Sequence, residues 1–220
     1  MAKRNHKLSQ TAIRRNLTDP TMPTASDARA NLLAVWQQAT EEEIEQGFDW
    51  YLRAHDLACQ LHSSPTHGAG IIAALSPSTS WDNNVEGATH LATTGTAWLY
   101  QSDLFNRRAL AIRNGADPGT TLGGPKVRSF WRNIAEPWRN GPVTIDRHAL
   151  AILIGRPLRD NDKRLERRGM YVWTSAVYRS LARELGVPVT TLQAVTWLTW
   201  RRLYGSSFRA QHRHDLDEMF

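Results

Sequence analysis

At 220 residues and a formal net charge of +6, the chain is long enough for one substantial core, or for two small lobes sharing a cleft. Its single cysteine, Cys59, excludes a disulfide scaffold and any cysteine-ligated zinc or iron–sulfur centre. No apolar run reaches membrane-spanning length and residues 1–16 lack the apolar centre of a secretory signal, so a soluble cytoplasmic protein that spans no membrane is expected.

The charge is unevenly spread. Residues 107–183 hold 16 Lys/Arg against 6 Asp/Glu, whereas residues 27–103 hold 2 against 10. Each block is readable as a solvated face. In the basic block, however, Arg outnumbers Lys 14 to 2, and the planar guanidinium suits bidentate phosphate contacts, so a polyanionic partner is expected.

Residues 1–25 are polar and basic and read as a disordered arm. From there the periodicity is helical. Asp27 to Ala39 carries Leu32, Leu33 and Trp36 on one side. Thr40 with Glu43 three residues on forms a capping box, opening a helix through Ile44, Phe48, Tyr51, Leu52, His55 and Cys59, with Cys59 read as core. Gly68 to Leu75 is short, apolar and small-residue-rich, as a buried helix requires. Pro77 and Ser78 stop it, and Trp81 to Leu91 resumes.

A basic helix over 105–113 ends at Asn114-Gly115. Further helices are predicted over 124–134, 146–154 and 163–185, the last ending at Gly186 with Pro188 beyond. A final helix from Thr190 to Leu203 ends at Gly205, leaving 206–220 as a polar tail. No run shows sustained strand alternation, so the fold class is all-α, with a helical domain over 26–205. Trp81, Trp98, Trp131, Trp138, Trp173, Trp197 and Trp200 mostly fall at helical spacing with other apolar residues and read as core.

Two segments carry the chemistry. Leu122-Gly-Gly-Pro-Lys-Val-Arg-Ser-Phe-Trp-Arg-Asn-Ile134 opens a basic helix with a glycine turn. Gly123 and Gly124 permit close backbone approach, and the first amides of the helix are suited to a phosphate oxygen. Pro125 fits the first turn, Lys126 lies beside it, and Arg128 and Arg132 share a face. In Val143-Thr-Ile-Asp-Arg-His-Ala-Leu150, Asp146 precedes an apolar helix and is followed by Arg147 and His148. Taken alone, an ordinary Gly-Pro helix start and an ordinary N-cap account for both segments.

Gly-Gly-Pro-Lys with Phe-Trp-Arg-Asn-Ile, then Thr-Ile-Asp-Arg-His-Ala, resembles the helix-hairpin-helix DNA glycosylase superfamily, most nearly the archaeal 8-oxoguanine glycosylases. Upstream, Ile71-Ile-Ala-Ala-Leu-Ser-Pro-Ser-Thr-Ser-Trp-Asp-Asn-Asn-Val85 is similar to that superfamily's early helix and following loop. The resemblance covers roughly residues 66–155. It implies a two-lobed all-α fold with a cleft between lobes, Lys126 as catalytic lysine, Asp146 as essential aspartate, and Gly123 and Gly124 at the hairpin. It also sets Ser80 and Trp81 at the mouth of a base pocket, with Trp81 available to stack on an extruded base.

The chain departs from the family pattern in three ways. The hairpin reads Gly-Gly-Pro rather than Gly-x-Gly, and Lys126 lies about two residues farther from the aspartate. Ser78-Thr79-Ser80 also replaces a glutamine commonly used to fill the hole left by a flipped base. The C-terminal part, with Tyr178, Trp197 and Arg201, resembles uncharacterised proteins of phages and actinobacterial mobile elements.

The expectation is a monomeric DNA glycosylase or glycosylase/lyase acting without metal or other cofactor, associated with the nucleoid when bound to DNA. Gly123, Gly124, Arg128, Arg132, Arg147 and His148 would hold the DNA, chiefly by its backbone. The alternatives are a non-catalytic nucleic-acid-binding protein of a phage or mobile element with the same fold, and a helical protein whose acidic block, residues 27–103, contacts a basic partner.

Overall fold

The computed structural model describes residues 21–159 and 161–217, the last twelve of these by backbone alone. Among the described residues every α or β element is a helix. In chain order these are α1 (Ala25–Gln37), α2 (Glu41–Leu61), α3 (Pro65–Leu75), α4 (Trp81–Thr94), α5 (Asp103–Arg113), α6 (Pro118–Thr121), α7 (Pro125–Ala135), α8 (Arg147–Ile154), α9 (Met170–Leu185) and α10 (Val189–Asp217), with a 3-10 turn at Arg164–Glu166. No described helix is long and apolar enough to cross a membrane. The all-α expectation holds, while the expected basic arm falls mostly on residues 1–20, outside the described residues.

The chain divides into two compact units, Met1–Gly47 with Ile145–Phe220, and Phe48–Thr144. The second is therefore an insertion in the first, and one boundary falls inside α2.

In the inserted unit α3 is the central element and packs against α4, α5, α6 and α7. Its apolar, small-residue sequence explains this, because a helix that is apolar all round must be covered on every side. Residues Gly68 to Leu75 are all buried. Gly68 meets α2 so closely that a Cβ there would lie 2.0 Å from the Ala58 carbonyl oxygen. The inner stripe of this half of α2 is Tyr51, Ala54 and Ala58. Cys59, one residue round the helix from Ala58, is exposed rather than core, because each residue turns the helix by ~100°.

In the other unit α1 packs on α8, α9 and α10, and α10 also contacts α8 and α9. The capping box forms as the sequence requires: the Glu43 amide donates to Thr40 Oγ1 at 3.2 Å and the Thr40 amide to Glu43 Oε2 at 3.0 Å. Glu43 is further held by Arg202, whose Nε lies 2.7 Å from Oε1, and by Thr199.

Two helix boundaries differ from expectation. Residues 163–185 do not form one helix. Asp162 accepts from the Arg164 amide and guanidinium, closing a tight turn, and Gly169, at φ 90°, resets the chain before α9. A left-handed residue cannot sit inside a helix, which is why the break falls at a glycine. Conversely, α10 runs through Gly205 to Asp217. An isolated helical glycine costs only about 1 kcal/mol, too little to end a helix by itself.

Candidate functional site

The candidate residues divide between the two units. Ser80, Trp81, Gly123, Gly124, Lys126, Arg128 and Arg132 belong to the inserted unit, and Asp146, Arg147 and His148 to the other.

The glycine hairpin is built from a sequence of local contacts. Asp117 caps the short α6 by accepting from the Thr120 amide at 2.9 Å, and the Leu122 amide closes onto the Pro118 carbonyl at 3.0 Å. Leu122 then buries its side chain, anchoring the turn. Gly124 takes φ 72° and ψ 152° as the N-cap of α7, a backbone that a side chain would strain. Pro125 follows in the first turn, and Lys126 beside it is half-buried.

Two guanidinium groups border this turn. Arg128 Nε donates to the Leu122 carbonyl at 2.8 Å, which ties the side chain back over the hairpin while the residue remains exposed. From α5, Arg108 comes so near Gly123 that a Cβ there would lie 3.1 Å from both of its terminal nitrogens. Arg132 is exposed one turn farther along α7. A turn that leads into a helix N-terminus between two such forks is chemically suited to a phosphate. Arg108 carries no local signal in the sequence: it lies fifteen positions before Gly123, and only the packing of α5 brings it there.

Ser80 is the N-cap of α4, its hydroxyl accepting from the Asn83 amide at 3.2 Å. Trp81 is half-buried with its ring 4.9 Å from that of Trp50, which in turn lies 5.8 Å from Phe130. Trp81 thus sits at the margin of the core. Just before it, Ser78 adopts φ 57°, a left-handed conformation uncommon for serine. The Gln101 amide secures this loop by donating to the carbonyls of Leu75 and Pro77.

In the other unit Asp146 is the N-cap of α8, with Oδ1 accepting from the Ala149 amide at 2.8 Å. The carboxylate is half-buried, and the cap uses one of its two oxygens. Arg147 and His148 occupy the first turn and are half-buried as well.

Two tyrosines of α9 grip the backbone on either side of Asp146. The Ile145 amide donates to Tyr171 Oη at 3.3 Å, and Tyr178 Oη reaches the Ala149 carbonyl at 3.4 Å. Their spacing of seven, two helical turns, sets both on one face. Tyr178 is fully buried. Burial pushes its phenol well above the ordinary range; a hydrogen bond with Thr196 acts against this, and the charge of Asp146 adds to it. The hydroxyl therefore stays protonated as a donor. The seven-residue spacing is visible in the sequence, but nothing in it indicates that the pair faces Asp146.

Of the tryptophans read as core, Trp81, Trp98, Trp131, Trp173 and Trp197 are half-buried. Trp200 is in the core at 2% exposure, as its spacing predicts. Trp138 overturns the core reading: it is 68% exposed, because it lies on the loop after α7, where helical spacing no longer governs which way a side chain faces. Among the described residues no group of three or more His, Cys, Asp or Glu side chains is arranged to hold a metal ion.

Comparison with known proteins finds one family model, described as a family of unknown function (DUF7178), which matches residues 16–203. No curated protein matches the chain, and no solved structure does.

Proposed function

The chain belongs to the DUF7178 family, and we propose that it is a DNA base-excision glycosylase of helix-hairpin-helix type acting on a base flipped out of the duplex. The observation that carries the reading is the setting of Asp146: a half-buried carboxylate fixed by its cap to Ala149 and by two tyrosines that hold the adjacent backbone. The cap engages one carboxylate oxygen, Oδ1, and holds the group at the start of α8.

In this reading the bond from C1′ of the sugar to the base breaks, and the base departs with the electron pair and takes up a proton. Asp146 stabilises the positive charge that builds on the sugar, as carboxylates do in glycoside chemistry. The amine of Lys126 bonds to C1′ as the base leaves, a proton passes from that nitrogen to O4′ as the C1′–O4′ bond opens, and the resulting Schiff base is later hydrolysed by water. The Gly123–Gly124 turn, Arg108, Arg128 and Arg132 hold the phosphates. Trp81 and Ser80 border the pocket for the flipped base, and Arg147 and His148 contribute to DNA binding beside Asp146.

The second reading keeps DNA binding without chemistry. It is favoured by the same cap, since N-capping alone explains an aspartate at this position, and by the exposure of Arg128 and Arg132. Incubating the purified protein with duplexes that each carry one damaged or modified base separates the two. Release of a base supports the glycosylase. Salt-sensitive binding to every duplex with no release assigns the protein to binding alone.

A further inference from the structure

Trp138 stands apart from the residues already assigned. An indole is usually sheltered, because its large apolar surface is costly to hydrate. At 68% exposure Trp138 instead offers most of its ring to solvent, and its surroundings hold it in that position. Asn133, itself 2% exposed, donates from Nδ2 to the Pro142 carbonyl at 2.8 Å and to Thr144 Oγ1 at 3.0 Å. Tyr51 Oη donates to the same Thr144 hydroxyl at 2.9 Å. Within the loop, the Arg139 amide closes onto the Glu136 carbonyl at 3.1 Å and the Gly141 amide onto the Arg139 carbonyl at 2.8 Å.

The ring itself has a support. His55 meets it edge-on at 5.2 Å and 79°, and His55 Nδ1 is bonded to the Ile134 carbonyl at 2.8 Å. Because a carbonyl only accepts, Nδ1 carries the proton and the imidazole is fixed in place. A T-shaped contact of this kind steadies the indole and leaves most of it open to solvent.

The charge around the loop selects the partner. Residues 125–144 carry Lys126, Arg128, Arg132 and Arg139 against one acid, Glu136, which pairs with Arg139 at 3.4 Å on the surface. A braced aromatic plate on a segment whose Arg128, Arg132 and Arg139 are exposed matches a polymer that alternates flat rings with phosphates. Every nucleobase has a stackable face, so such a plate tolerates any sequence.

We infer that Trp138 is a stacking platform for an unpaired nucleobase of a strand whose phosphates the neighbouring cations hold. The inference rests on the nucleic-acid reading above but requires no catalysis. Binding of a labelled oligothymidylate single strand, followed by fluorescence anisotropy across a salt series, tests it with the full-length chain. Trp138→Ala should weaken binding roughly 5- to 150-fold, the range that loss of one stacked base spans, and Trp138→Phe should retain most of the affinity. The salt slope should not change in Trp138→Ala, because every phosphate partner is still present, whereas Arg128→Ala with Arg132→Ala should reduce it. Because the side chain is exposed, circular dichroism of both Trp138 variants should match the wild type.

Wild-type affinity in a folded Trp138→Ala protein overturns the inference and leaves nucleic-acid binding standing. A reduced salt slope in that variant also overturns it, by showing that the indole acts through its neighbours' hold on the phosphates. A wild-type protein that binds neither single strand nor duplex overturns the nucleic-acid reading and this inference with it.

Discussion

Replacing Gly68 with alanine should destabilise the protein even though alanine is the better helix former. The substitution within a helix ordinarily gains about 0.5–1 kcal/mol. Here, however, the new Cβ would lie 2.0 Å from the Ala58 carbonyl oxygen and 2.7 Å from its carbonyl carbon, about 1 Å inside the closest approach real Cβ atoms make. Both partners are backbone, so no rotamer change relieves the clash, and α2 and α3 must move apart through a core that includes Ala54, Ala58 and Ala69. Overpacking a filled core costs about 1–3 kcal/mol, and a clash between two backbones belongs at the upper end. The net loss should be about 2 kcal/mol, which for a chain of this size lowers the thermal midpoint by about 4–8 °C. Gly205→Ala is the matched control: nothing lies within 4 Å of its Cβ position, so the same change should raise the midpoint by about 1–4 °C. Differential scanning calorimetry of both variants reads the two signs. A Gly68→Ala protein as stable as the wild type would refute the packing of α3 on α2.

Acid sensitivity should trace to two carboxylates. Burial alone would raise Glu43, but hydrogen bonds from Arg202, the Thr40 amide and Thr199 outweigh it and hold the group below its ordinary 4.5. The Arg164 fork, against the effect of burial, holds Asp162 below 3.8. Such groups add stability above the unfolded value that is lost as pH falls through the folded one. Urea midpoints should therefore be flat near neutrality and decline below about pH 4.5, with Glu43→Gln lowering the plateau by about 1–2 kcal/mol and making the decline shallower. Replacing both Arg128 and Arg132 with alanine should reduce the salt slope of duplex binding by roughly 1.8, about 0.9 for each phosphate no longer neutralised; an unchanged slope would remove the hairpin from the interface. On a cleavable substrate, borohydride should trap a covalent protein–DNA adduct that Lys126→Ala abolishes. Turnover by wild type with no adduct would instead make water the nucleophile.

Much of this architecture is legible from spacing. Thr40 with Glu43, Asp146 before Ala149 and Asn114-Gly115 after Arg113 are signals in which one residue satisfies backbone groups a few positions away, and each forms where the sequence places it. The differences arise where a local signal competes with something non-local. The apolar periodicity across 163–185 conceals a turn made by Asp162 and Arg164 and released at Gly169. Gly205 looks like a stop, but one glycine is a weak breaker. Cys59 and Trp138 fall at helical spacing from apolar residues whose direction they do not share. For the candidate residues, sequence supplies the hairpin and the cap. The contribution of Arg108 from α5 and the two tyrosine hydroxyls beside Asp146 depends on how helices pack, which no local pattern encodes.

Asp146→Asn puts the central claim to its most direct test. The asparagine keeps an oxygen for the Ala149 amide, so folding and DNA binding should be nearly unchanged, whereas Asp146→Ala should lose about 1 kcal/mol of stability with the cap. The charge, however, is gone. Once a damaged duplex that the wild type cleaves is in hand, single-turnover base release should be abolished in Asp146→Asn while its affinity for the duplex stays at the wild-type level. Release at the wild-type rate would contradict the account and return Asp146 to the role of a helix cap.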